Sequence, residues 1–134
     1  MQKLKQKDFI RDFEIQEDFT QSELQSFFKS VTVLSVPVLK GEAFGLYQLE
    51  ALASGIPLVQ PELGTFPEII TATAGGETYK PNTAEALAKK LSEVLLDSSK
   101  LDNMSFTGRK SVEQHFDCVV QTAKLVNIYK TLIK

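Results

Sequence analysis

GEAFGLYQLEALASGIP, residues 41–57, sets two glutamates, Glu42 and Glu50, on either side of a Phe44-Gly45 corner that opens a helix. Gly45 permits a tight turn and a close backbone approach. The first amides of the helix that follows have no partner within it, so this helix start is a ready anion site. Glu50 falls four residues after Leu46 on the same face. Helical side chains lean toward the N-terminus, which aims the Glu50 carboxylate back at the corner. Glu42 reaches the same corner from the loop. Free amides suit phosphate and the two carboxylates suit pairs of sugar hydroxyls, a combination expected of a nucleotide-sugar pocket. The helix is predicted to end at Ser54, with Gly55 as its left-handed cap and Pro57 barring continuation.

Working outward, strands and helices alternate. Phe13 to Ile15 is a short strand candidate, and Thr20 with Glu23 forms a capping box for a helix to about Val31. Val33 to Val36 reads as a buried strand stopped by Pro37, and Leu58 to Gln60 as another, followed by a turn at Pro61 to Gly64. Pro67 suits the first turn of a short helix through Ile70. Gly75 and Gly76 precede a strand at Glu77 to Tyr79. Asn82 with Glu85 is predicted to cap a helix carrying Leu87, Leu91, Val94 and Leu95 at helical spacing. One further helix spans Leu101 to His115. Asp117 starts the last, with Val119, Ala123, Val126, Tyr129 and Ile133 on one stripe. This order predicts a parallel α/β sheet, whose ligand sits beyond the carboxyl ends of its strands. The segments 37–42 and 61–66 occupy that edge.

The 41–57 run resembles the donor-binding motif of retaining glycosyltransferases of the two-domain B-type fold, family four (group 1) in particular. That pattern is roughly E-x-F-G followed by E-A-x-A-x-G-x-P, matched here by Glu42, Phe44, Gly45, then Glu50, Ala51, Ala53, Gly55 and Pro57. The likeness continues through Thr32 to Pro37, Val59 to Ile70, and AGGETYKPNTAEALAKKL at 74–91, and so covers the chain from near Phe13 to its end. It implies an α/β, Rossmann-like parallel sheet with flanking helices, the incomplete C-terminal half of a two-domain enzyme. Residues 1–134 would form a partial nucleotide-sugar (donor) binding domain. The implied reaction moves a hexose from a UDP- or GDP-sugar to a glycan or lipid-linked acceptor with retention of configuration.

The same resemblance implies the roles. Glu50 would accept hydrogen bonds from the ribose hydroxyls, and Glu42 would face the donor sugar, as catalyst or as orienting group. Phe44, Gly45 and Leu46 would offer backbone contacts to phosphates and sugar, with the Phe44 ring serving as packing. Glu68 is expected to fix the FPEI turn. The family typically works without a bound metal, so no cofactor is expected beyond the donor substrate. Thr32 stands where the family commonly has aspartate, Glu17 near a usual glycine, and Cys118 at a common aromatic. Also missing are the family's N-terminal acceptor domain and the Gly-Arg and Lys-Gly signature whose cations hold the diphosphate. The chain is therefore expected to need that acceptor domain for turnover, and peripheral membrane contact would belong to the full-length enzyme alone. A homodimer is expected from an edge beside Val33, left open by the missing strands, and from the last helix. The alternative reading is a catalytically silent binding or assembly module of the same fold.

Composition narrows the classes further. With 134 residues the chain makes one small domain, whereas two Rossmann-like domains need more than about twice as many. A net charge of −2 supplies no basic field for nucleic acid. Met1 to Lys7 is basic, yet no hydrophobic stretch follows it, so no secretory signal is read. The one cysteine, Cys118, cannot close an internal disulfide and fits a reducing cytoplasm; a small buried hydrophobe is expected there. His115 has no evident acid or metal partner in sequence, and no metal-ligand spacing occurs. No G-x-G-x-x-G follows a strand, which argues against a nicotinamide enzyme.

Overall fold

A computed structural model describes residues 20–133. Its order is α1 (Gln21–Ser30), α2 (Leu46–Ala53), β1 (Leu58–Pro61), α3 (Phe66–Thr73), β2 (Gly76–Tyr79), α4 (Ala84–Leu95), α5 (Ser98–His115) and α6 (Cys118–Leu132). The Phe13 strand candidate and Glu17 lie outside the described residues. β1 and β2 pair in parallel, with Leu58 opposite Gly76 and Pro61 opposite Tyr79, and α3 forms the crossover. On the other side of β1, Leu34 makes a single parallel bridge to Leu58.

That bridge corrects the expected Val33 to Val36 strand. The Leu34 amide donates to the Pro57 carbonyl and the Leu34 carbonyl accepts from Val59, both in ladder fashion. Two residues on, the Val36 amide instead donates to the Gln60 side chain at 2.9 Å. A side chain therefore takes the place of the next rung, and the ladder stops after one residue.

β1 is buried along its whole length, as a strand covered on both faces must be. Successive side chains alternate between faces, so Leu58 and Val59 enter different cores. Leu58 packs with Phe28, Ala51, Leu52, Ile56, Ile70 and Val112, from α1, α2, α3 and α5. Val59 packs with Tyr79, Val94 and Met104, joining β2, α4 and α5. The 18-residue α5 thus contributes to both cores. Leu52 is fully buried, and truncating such a side chain to alanine costs about 2–5 kcal/mol.

Local signals account for most element ends. Thr20 and Glu23 form the complete capping box of α1. Gly55 has φ +79 after α2, and Pro67 sits in the first turn of α3, which runs on past Ile70 to Thr73. Asp97 caps α5, starting it three residues before Leu101, and Asp117 caps α6. The α4 cap differs from expectation: Thr83, not Asn82, accepts the Ala86 amide. Asn82 is occupied elsewhere, donating to the Val38 carbonyl at 2.8 Å and accepting from the Tyr79 hydroxyl at 3.3 Å. Leu87 and Leu91 pack beside Val94 as the spacing predicts, while Leu95 is half exposed. Cys118 is exposed, contrary to the buried role expected of it, because α6 buries none of its residues.

Candidate functional site

The site predicted from sequence is the corner where the 37–45 segment turns into α2. Gly45 has φ +70 and ψ +57, the left-handed region that glycine enters without strain. Space demands glycine too, since a Cβ here would stand 2.6 Å from Gln48 Nε2 and 2.9 Å from Glu42 Cγ. No side chain caps the helix start. The Gln48 amide reaches the Gly45 carbonyl at 3.0 Å, and the Leu46 and Tyr47 amides have no acceptor among the described residues. Two unpaired donors at the positive end of a helix are suited to an anion.

Glu42 is half-buried, and its carboxylate folds onto its own loop. Oε1 accepts the Ala43 amide at 2.9 Å and lies 3.5 Å from the Phe44 amide. The Tyr47 hydroxyl is close enough to feel it: burial first, and then the Glu42 charge, push that phenol above its ordinary value. Tyr47 therefore stays a neutral hydroxyl across the neutral range. Glu50 is exposed on α2, and its carboxylate makes no hydrogen bond or ion pair among the described residues. Both its oxygens are open to a ligand.

The backbone of Glu42 is gripped from the turn after β1. The Thr65 amide donates to the Glu42 carbonyl at 3.1 Å. The Thr65 hydroxyl lies 3.2 Å from that carbonyl and 3.2 Å from the carbonyl of Phe44. Sequence reasoning did not single out Thr65; its place beside Gly64 at the predicted ligand edge was the available signal. Glu68, expected to fix this turn, makes no hydrogen bond among the described residues and is exposed. Gly64 and Thr65 do that work instead.

The Phe44 ring, expected to serve as packing, is 65% exposed, and the Leu46 side chain beside it is 56% exposed. The inside of the corner is filled by Gln48 and Glu42, so the Phe44 ring stands outside. There it walls an apolar cleft of about 260 Å³ with Leu49, Thr65, Ile69 and Phe116. Gln48 was also missed. It is fully buried, and neither of its amide atoms has a partner among the described residues; among them Ser35 Oγ, Tyr47 OH and Gln60 Nε2 are likewise unpaired. A buried unsatisfied group costs about 1–3 kcal/mol. Its sequence signal was a polar residue three positions before Ala51, on the face that α2 buries.

His115 is exposed, at the C-terminal end of α5, away from the corner residues in any hydrogen bond. Among the described residues no three His, Cys, Asp or Glu side chains are grouped to hold a metal ion. Among them, too, no helix is long and apolar enough to cross a membrane.

Comparison with known proteins bears on the fold and the family. Over 108 residues the chain is 28% identical to a phosphatidyl-myo-inositol mannosyltransferase of Mycolicibacterium smegmatis, a match covering 80% of this chain and 28% of that protein. It is 31% identical over 91 residues to an N-acetyl-alpha-D-glucosaminyl L-malate synthase of Bacillus anthracis, covering 68% of this chain and 23% of that protein. The chain thus spans less than a third of the length of these relatives. In structure it superposes on a sucrose-phosphate synthase from Thermosynechococcus elongatus with a TM-score of 0.86 at 21% identity, over 98% of this chain and 33% of that one. It also superposes on the C-terminal domain of a group 1 family glycosyl transferase from Francisella tularensis, with a TM-score of 0.74 at 26% identity, over 87% of this chain and 60% of that one. The family described as Glycosyl transferases group 1 matches residues 7–111, most of the sequence, and the chain belongs to that family.

Proposed function

We propose that this chain provides the donor side of a hexosyltransferase, holding a UDP- or GDP-sugar at the Gly45 corner for transfer with retention of configuration. The observation that carries this reading is that one short helix and the loop leading into it carry two helix-start amides, at Leu46 and Tyr47, without an acceptor among the described residues, together with the half-buried Glu42 and the exposed Glu50. The amides would receive a phosphate oxygen, Glu50 the ribose hydroxyls and Glu42 the hexose. The backbone of Phe44, Gly45 and Leu46 would line the diphosphate and sugar. Gly45, in its left-handed conformation, makes the tight turn that brings the loop carrying Glu42 to the start of α2.

Turnover is a separate requirement. It needs an acceptor held in line and cationic stabilisation of the departing diphosphate. In this reading those groups come from the part of the relatives' length that the chain does not span, and the 134-residue chain binds donor without transferring sugar. Titration calorimetry with UDP, GDP and NAD tests the reading. Heat with UDP or GDP and none with NAD supports it; binding to NAD alone, or to none of the three, rejects it.

A further inference from the structure

We propose that Thr65 is a positioning residue for the donor sugar, acting through the Glu42 loop and resting on the donor-site reading above. Thr65 is the residue before the first turn of α3, where a threonine hydroxyl ordinarily caps the helix amides. Here it makes no such bond. Its backbone is helical rather than extended, with φ −82 and ψ −6, and the hydroxyl turns instead to the carbonyls of Glu42 and Phe44, 3.2 Å from each. Its amide adds a third tie, to Glu42.

Apart from these bonds, the segment that receives them is held by the Asn82 bond to Val38 and by the close fit of Gly41 and Glu42 against Gly64. Residues 40, 41, 43 and 44 are exposed, and the 37–45 segment belongs to no helix or strand. A segment of that kind opens at low cost unless specific bonds fix it. Glu42 can orient a ligand only as well as its own backbone is fixed, and Thr65 is what ties that backbone to the turn after β1. Glu50 does not share this dependence, because α2 itself holds it. The two carboxylates are thus supported by independent parts of the fold. Weakening the Thr65 tie separates their effects: sugar recognition, which runs through Glu42, falls by more than nucleoside diphosphate recognition, which rests chiefly on Glu50 and the α2 amides and only in part on the Phe44 backbone.

The test measures the affinity of the chain for UDP and UDP-glucose, and for GDP and GDP-mannose, in the parent, Thr65→Val, Thr65→Ala and Thr65→Ser. The quantity read is how much more tightly each sugar nucleotide binds than its parent diphosphate. One neutral hydrogen bond corresponds to a change of about two- to ten-fold. That preference is expected to fall by this factor in Thr65→Val and Thr65→Ala, while diphosphate affinity changes less than about two-fold, and Thr65→Ser is expected to restore it. Hydrogen exchange should show faster exchange at Ala43 and Phe44 in Thr65→Val, with β1 and β2 still protected. An unchanged preference, equal loss for both ligands, or failure of serine to restore it overturns the proposal alone. Absence of any nucleotide binding by the parent overturns the donor-site reading and this proposal with it.

Discussion

Gly64 lies directly against the backbone of Glu42: a Cβ on Gly64 would stand 2.4 Å from the Glu42 carbonyl oxygen and 2.6 Å from its nitrogen. Gly64 also has φ +53, so its conformation and its contact both exclude a side chain. The turn after β1 and the loop before α2 are therefore fitted to each other through two backbones. Both occupy the carboxyl ends of their strands or strand-like segments, where a parallel sheet places its ligand. One residue links the fold's turn chemistry to the position of the carboxylate that the donor reading assigns to sugar.

Gly64→Ala is expected to force these two backbones apart. The left-handed conformation costs an alanine about 1 kcal/mol or more, and the overlap adds about 1–3 kcal/mol if the core cannot yield. Because the Glu42 loop is exposed, it will yield first. Urea unfolding should show a loss of about 1–3 kcal/mol, and hydrogen exchange should place the disturbance at residues 41–45. A variant as stable as the parent, with that loop unchanged, would show that the close contact is not held in solution.

The two glutamates should separate by ligand. Loss of a charge-assisted hydrogen bond costs about 1.5–3 kcal/mol, roughly ten-fold or more in affinity. Glu50→Ala is expected to weaken UDP or GDP by that factor, because the ribose is common to nucleotide and sugar nucleotide. Glu42→Ala should leave the bare diphosphate nearly unaffected and weaken the sugar nucleotide. Calorimetry decides it; a Glu50→Ala chain that binds diphosphate like the parent rules out the ribose assignment.

A third prediction concerns the cluster of Glu77 with Lys90 and Lys100, which ties β2 to α4 and α5. Burial would raise the Glu77 carboxyl, but hydrogen bonds from Lys100 and Lys90 outweigh it and hold the group below its ordinary value. A depressed carboxylate contributes stability above its unfolded value, and that stability is lost as the pH falls through the folded value. Glu77→Gln should therefore cost about 1 kcal/mol near pH 7, allowing for partial exposure, and progressively less below the ordinary glutamate value of 4.5. Urea midpoints of parent and variant at pH 7 and pH 3 check this. An equal difference at both would mean that packing, not charge, is what Glu77 supplies.

The sequence was most legible where backbone chemistry is local. Gly55 and Pro57 marked the end of α2, the Thr20–Glu23 box marked the start of α1, and Pro67 marked α3, since each acts through its own few residues. It was least legible where a distant side chain intervened. Nothing around Val36 announces that Gln60, 24 residues on, would take its amide, or that Val38 would draw Asn82 away from the α4 cap. The Gly45 corner stood out because its motif is continuous, from Glu42 to Pro57. Its support was not, because Thr65 reaches Glu42 across 23 positions. The expected burial of Cys118 failed for a related reason: periodicity shows that α6 has an apolar stripe, but not whether anything within the chain covers it.

That stripe carries the last prediction. α6 buries no residue, and Val119, Leu125, Val126, Ile128, Tyr129, Leu132 and Ile133 are all exposed, Ile133 at 79%. A 15-residue helix is marginal in water by itself, and most helical stability comes from packing an apolar face. An exposed apolar patch of this extent favours association. A homodimer joined through α6 is therefore expected at micromolar concentration, with α6 amides that become more protected as concentration rises. Val126→Lys with Tyr129→Lys, on the stripe and away from both cores, should give a monomer whose α6 exchanges faster than α5. Light scattering and hydrogen exchange across a dilution series supply the measurement. A parent chain that stays monomeric, with α6 as protected as α5 at every concentration, would rule out pairing through this helix.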